Sequence, residues 1–561
     1  MAAIKNNNFK NVLLVFAFVI LANAIGNSFF YRFDLTKDKR YTLSPTSLAI
    51  IKQIKEPLAV KIYMQGDLPA EFKRLQQETR QLLEEFQAYN SDIAFEFVDP
   101  LENEETSTDN VKALYMKGLT PINITVDDKG KQSQAMVFPW AIAVYNNKEV
   151  TIPLLKNIMG ASTTDKVIGS IQHLEYSIAD ALNKITTDKQ KTIAILKGNN
   201  ELKDIYIAKF LLQVRESYHL GPFTLDSVAT NPEGSLAALK NYDLAIIAKP
   251  TETFSEAEKQ VLDQYIMNGG KTMWLIDQVA VEMDSLYNAS GATLAFPRDL
   301  NLNDMFFKYG FRINPDIIKD EQGSPIKLAT GEQGSATQYQ QFNWKFAPQI
   351  YPTSKHPIVK NLGGIKFDFA NPIDTLKNGI KKTILLQSSK YSKKVGTPVE
   401  VNLNSVTEET SPNHYINTGG IPTTVLLEGN FKSMFENRVL AFDQQKYTAK
   451  GVANKMIVIS DGDVIKNQVD KDFQPVELGY DQRSGTLYDN KDFLLNCVNY
   501  LLDDTGLINI RSKDLDIPLL DKEKVYQNYT FTQILTIGLP ILVLTVFGFL
   551  FTFFRKRRYT K

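Results

Sequence analysis

Apolar and polar positions alternate along this chain with two periods, and two stretches near its ends lack polar interruption. Val12 to Phe30 reads VLLVFAFVILANAIGNSFF, and Phe531 to Phe554 carries no charge in 24 positions. A hydrocarbon core of about 30 Å is crossed by roughly 20 residues rising ~1.5 Å each, so both stretches are predicted membrane helices. Gly538, Pro540 and Gly548 are tolerable in the second where neighbouring groups satisfy the loosened backbone. In the first, Ala22-Asn23-Ala24 also fits the cleavage site of a secretory signal. Apolar character resumes at Ile25, Phe29 and Phe30, which favours an uncleaved anchor over cleavage after Ala24.

Between these runs the pattern predicts two α/β regions. Ser44-Pro45 reads as an N-cap with proline at the first helical position. Val60 to Tyr63 is strand-like, Pro69 to Asn90 places Phe72, Leu75, Leu82, Leu83 and Phe86 at helical spacing, and Ile93 to Val98 alternates as a strand does. That is a βαβ unit, followed by two strands from Met136 to Ile152 about an Asn146-Asn147 turn. Residues 34–190 are therefore expected to form a small α/β domain.

Residues 191–527 repeat the alternation with more apolar strands: 192–196, 243–248 and 272–276, with helices at 203–218 and 256–268. Buried strands alternating with helices predict a doubly wound parallel sheet, whose ligands usually sit beyond the strand carboxyl ends. The loops there are 197–201, 249–253 and 277–282. Residues 320–430, rich in Gly, Ser, Thr, Gln and Pro, read as loops and short strands inserted in this domain. The strand MIVIS (456–460) is followed by Asp461-Gly462-Asp463. Two carboxylates at a strand end can hold a divalent cation, but Asp and Gly are also ordinary turn residues, and the turn is the favoured reading.

The segment YIMNGGKTMWLID (265–277) resembles part of a phosphate-binding loop. That loop needs G-x-x-x-x-G-K-[ST] between a strand and a following helix. Here Tyr265 stands where the first glycine belongs, and the order is reversed. Ser255 and Glu258 form a capping box at a helix start, Gly269 ends that helix, and a strand follows.

Composition narrows the chemistry further. The 561 residues carry 63 basic and 63 acidic side chains, which gives no nucleic-acid signature. The single cysteine excludes an intrachain disulfide or a CxxC site, and Cys497 shares a helical face with Phe493, Leu494, Val498 and Leu501. His173, His219, His356 and His414 are isolated, without the spacing of a zinc site. No metal, cofactor or catalytic residue is expected. Basic residues concentrate at the end, where Arg555, Lys556, Arg557 and Arg558 follow the second apolar run. With Lys5 and Lys10 they predict both termini in the cytoplasm and the bulk on the opposite, periplasmic side of a bacterial inner membrane; the same cations would also attract anionic lipid. Trp344, Phe346 and Tyr351 are candidates for stacking on a ligand, although Phe342, Trp344 and Phe346 alternate as the inward side of a half-buried strand.

Several separated blocks resemble the gliding-motility-associated ABC transporter auxiliary proteins of the GldG family: RYTLSPTS (40–47), FEFVDP (95–100), the run 342–374, TTVLLEGNFKSMFENR (423–438), ISDGDVIKNQ (459–468) and 479–507. The resemblance runs in order along nearly the whole chain. It implies a non-enzymatic accessory component beside a multi-span permease and a separate ATP-binding subunit, and a middle domain similar to the class I amidotransferase sheet. The expected layout is a tail and anchor (1–33), a periplasmic α/β domain (34–190), an auxiliary domain (191–527), a membrane helix (528–554) and a basic tail (555–561). Two other functions stay open at this point: a periplasmic saccharide- or peptide-binding module, and a hydrolase with an acidic site at Asp461 and Asp463.

Overall fold

The computed structural model describes residues 42–559 except 103, 129–130, 157–160, 334–335, 409, 504 and 513–521, together with residues 11, 13–21, 23 and 34. The chain divides into two units, Met1–Lys513 and Asp514–Lys561.

In the first unit, the helix α1 (Pro45–Ile51) starts at the expected cap: the Ser44 hydroxyl accepts the Ser47 N–H, and Pro45 takes the first turn, where no N–H is needed. A four-stranded sheet follows. Its strands are β1 (Leu58–Ile62), β2 (Ile93–Phe97), β3 (Trp140–Tyr145) and β4 (Lys148–Pro153), in the spatial order β2-β1-β3-β4. Strands β1 and β2 are parallel and joined by α2 (Ala70–Tyr89), whose Phe72, Leu75, Leu82, Leu83 and Phe86 are buried. The β3–β4 hairpin turns at Asn146 and Asn147, with φ of 49° and 60°, the left-handed pair that a two-residue turn requires. Two features go beyond the periodicity reading. A further hairpin pairs Ile122–Asp128 with Lys131–Val137, and a 24-residue helix α3 (Thr163–Thr186) packs on α2.

The second sheet has seven strands: β5 (Thr192–Lys197), β6 (His219–Thr224), β7 (Leu244–Ala248), β8 (Lys271–Leu275), β9 (Lys381–Gln387), β10 (Pro422–Lys432) and β11 (Lys450–Ile459). Their order is β9-β10-β11-β8-β7-β5-β6. Strands β11, β8, β7, β5 and β6 are mutually parallel, and β10 runs antiparallel to β11. Burial on both faces explains why β7, LAIIA, has no polar residue. The helix α4 (Asp204–Ser217) covers one face; α5 (Pro232–Leu239) and α6 (Glu256–Met267) cover the other; α7 (Asn490–Leu502) returns to the first face and buries Cys497. Pro222 lies in the outermost strand β6, where a missing N–H leaves no ladder position empty.

The stretch 320–430 is more than loops and short strands. Gly323–Gln333 and Ala336–Ile350 form a long hairpin, and β9 and β10 join the main sheet. Alternating polar residues disguise the hairpin, because only one of its faces is covered.

The GGKT segment closes a helix. Gly269 has φ 96°, its N–H reaches the Ile266 carbonyl, and the Gly270 N–H reaches the Tyr265 carbonyl, both at 3.0 Å. This pair of bonds satisfies the last carbonyls of α6 before β8 begins. At the other end of α6, the Ser255–Glu258 capping box is formed in both directions.

In the second unit, Tyr529–Arg558 is a 30-residue helix long and apolar enough to cross a membrane. A π-helical turn at Ile534–Gly538 precedes Pro540, where the ring cannot donate to the ladder. Lys556, Arg557 and Arg558 occupy the last turn, just after Arg555. The first predicted span, 12–30, lies partly outside the described residues; residues 13–21 are helical with exposed apolar side chains.

Candidate functional site

Three neighbouring parallel strands end at the same edge of the seven-stranded sheet, and the residues that follow them converge. Lys249 follows β7, Asp277 follows β8, and Asp461-Gly462-Asp463 follows β11. The Lys249 ammonium lies 2.7 Å from Asp463 Oδ2, 2.9 Å from Glu282 Oε1 and 3.3 Å from Asp277 Oδ2. Lys249 is only 3% exposed. It sits in the left-handed region with φ 55°, uncommon for a residue with a side chain and worth roughly 1–3 kcal/mol of strain. Gly462 lies directly beneath it: a Cβ there would come within 2.5 Å of Lys249 Cβ and Cγ. The glycine of the DGD turn is therefore demanded by a lysine more than two hundred positions upstream.

Electrostatics follow from this packing. Burial alone would lower the Lys249 pKa, but Asp463, Asp277 and Glu282 outweigh it and hold the ammonium well above the usual lysine value. The three surrounding carboxylates favour the ammonium form of this amine. Burial raises Asp277 and Glu282, while Lys249 and Lys466 bring Asp463 below the ordinary aspartate range against its own burial. Asp461 is fully buried and raised well above that range by desolvation and by neighbouring Asp277, Asp463 and Asp368.

Among the described residues, Asp277, Asp461 and Asp463 place carboxylate oxygens within 4.8 Å of one another. A divalent cation there would meet an ammonium already bonded to two of the three. Asp461 is further committed: its two oxygens accept the Asp368 N–H at 2.6 Å and the Asp463 N–H at 2.7 Å. Its role is to fix the turn. Asp463 and Glu282 reach a cleft of about 340 Å³ that also presents Lys366, Lys466, Asp481 and Arg483. Mixed charge of this kind suits a polar or zwitterionic group; no histidine or cysteine lines the cleft among the described residues.

The aromatic candidates separate. Trp344 and Phe346 are buried in a cluster with Phe369. Tyr351 is 43% exposed and lines a different cavity of about 720 Å³ with Tyr391 and Tyr415. Burial pushes the Cys497 thiol up, as expected for a packed core side chain. The sequence pattern points to the loops 249–253 and 277–282, where Lys249, Asp277 and Glu282 lie, but not to Lys249 itself. A lysine directly after an apolar buried strand was the available signal.

Residues 190–497 match the family described as an ABC-type uncharacterized transport system, and residues 37–144 match a domain of unknown function, DUF7088. A Borreliella burgdorferi protein described as uncharacterized is 21% identical over 562 residues, covering 99% of each chain. The mmIFT52 N-terminal domain covers 59% of this chain and 100% of its own length at 12% identity, with a TM-score of 0.29. A score that low establishes no shared fold.

Proposed function

Because the chain belongs to the ABC-type transport auxiliary family, we propose that it is an auxiliary subunit of an ABC transporter, working beside a separate permease and ATP-binding subunit. The family match over more than half of the 561 residues carries this reading. Membership in an auxiliary family points to a non-enzymatic role; in keeping with it, carboxylates surround Lys249 and both Asp461 oxygens accept backbone N–H groups. Energy would come from ATP hydrolysed on another chain, since GGKT here is a helix end.

In this reading two apolar segments, 12–30 and 531–554, anchor the chain with both termini in the cytoplasm. The α/β domain at 34–190 and the auxiliary domain at 191–527 then face the periplasm. Arg555, Lys556, Arg557 and Arg558 would hold the orientation and contact anionic headgroups. Two spans are too few to form a transport path, so the permease must supply it. The gliding-motility setting is supported by the resemblance of the sequence blocks. A second reading, a module that binds a saccharide or peptide, is favoured by the cleft of about 340 Å³ at the carboxyl edge.

Purification of the tagged full chain in mild detergent tests the proposal. Co-recovery of a multi-span permease and an ATP-binding protein in fixed proportion is expected; a partner-free chain in repeated preparations would overturn it.

A further inference from the structure

A third cavity, of about 780 Å³, lies away from the carboxyl-edge cleft, between α3 and the segment around α7. Its walls include Lys156, His173, Tyr176, Asn496 and Arg511. Arg511 is 3% exposed. One of its nitrogens, Nη1, donates to Asn496 Oδ1, and its guanidinium stacks 5.0 Å from the Tyr176 ring centre. The other edge is free: Nε and Nη2 are both buried without a hydrogen-bond partner. His173 Nδ1, also buried, has none either. Leaving such groups unpaired costs about 1–3 kcal/mol each, and more when they are charged, so an unused guanidinium edge on a residue that lines a cavity calls for an acceptor.

The Nε–Nη2 edge presents two parallel N–H groups, the geometry that grips a planar oxyanion with both oxygens. From this geometry we infer that the cavity binds the carboxylate group of a small molecule, held side-on by Arg511 with the ring of His173 nearby. Charge decides between carboxylate and phosphate. Lys156 is already engaged: its ammonium donates to the Asn361 carbonyl and lies 3.9 Å from Asp489 Oδ2. The other lysines of the lining, Lys117, Lys184 and Lys491, are paired with Glu149, Asp180 and Glu477, and Asp489 and Asp492 also line the cavity, so one cationic fork remains, which fits a monoanion and would leave a phosphate dianion facing several carboxylates. Burial and the cations Arg511 and Lys156 push the His173 pKa well down. A bound anion would relieve that depression. The site is independent of the transporter-subunit proposal and stands or falls separately.

The chain has only four histidines, so ring signals of the full-length, histidine-labelled protein in detergent are readable. Acetate, inorganic phosphate and chloride are titrated at equal ionic strength. Acetate should move the His173 resonance saturably while exposed His219 and His414 stay still, and phosphate should bind at least tenfold more weakly. Arg511→Lys, which keeps the charge but loses the fork, should weaken acetate binding at least tenfold; His173→Phe, read by calorimetry, should retain most of it. If acetate produces no saturable shift, if phosphate binds as tightly or more so, or if a folded Arg511→Lys protein binds acetate unchanged, the inference fails.

Discussion

Replacing Lys249 with methionine tests the account of the carboxyl-edge cluster most directly. Methionine keeps the length of the side chain and the same cost of the left-handed backbone, so the change isolates the ammonium. The variant leaves Asp463, Asp277 and Glu282 facing one another, at sites where Lys249 had lain 2.7, 3.3 and 2.9 Å away. Removing one member of a buried ion cluster costs about 3–5 kcal/mol, because the remaining charges lose their compensation. If the roughly 300 residues around the seven-stranded sheet unfold together, at ~2.1 cal/mol/K per residue, the melting temperature should fall by about 5–8 °C. The sign of the pH dependence follows from the shifts. The Lys249 pKa is raised in the folded state, so its contribution is complete below the ordinary value of 10.5 and is lost as pH rises through the higher folded value. In the variant, Asp277 and Glu282, already raised by burial, should rise further and take up protons as pH falls. The deficit should therefore shrink between pH 7 and pH 5. Differential scanning fluorimetry of the full chain in detergent measures both. Equal melting temperatures at pH 7, or a gap that widens in acid, would refute the reasoning.

Three further outcomes are expected. Gly462→Ala should lower the melting temperature by several degrees, because the new methyl would come 2.5 Å from Lys249 Cβ and Cγ; the loss in the double variant Gly462→Ala, Lys249→Gly, which removes both of those carbons, should be smaller than the sum of the two single losses. Ser255→Ala removes the N-cap of α6 and should cost about 1 kcal/mol in urea unfolding, with little change in slope. Protease added to spheroplasts should digest the bulk of the chain and spare an epitope placed after Lys561; the reverse pattern would invert the proposed topology.

Local rules were readable in the sequence because each depends on neighbours along the chain. The Ser255–Glu258 box, the Gly269 helix end, the Ser44-Pro45 start and the Asn146-Asn147 turn all fall where spacing predicts them. The α3 helix was legible too, since Val167, Ile171, Leu174, Ile178, Leu182 and Ile185 recur at helical intervals and are buried, although the reading passed over it. Strand order is a different kind of information. β11 lies beside β8 only after the chain has left through a long hairpin and returned, and hydrophobic period carries no register across such an excursion. That is why Lys249, Asp277 and Asp463, each unremarkable in its own loop, could not be assembled beforehand. The same holds for the Arg511 cavity, whose walls come from both α/β regions.

The placement of Pro222 has a consequence for how this body meets its own copies. Any strand docking alongside the outer margin of the sheet at β6 would find an imide nitrogen in mid-strand, with no proton to offer and a ring standing in the way. Lateral annealing of sheets is thus discouraged on that flank. At high local density, such a guard helps each copy remain separate.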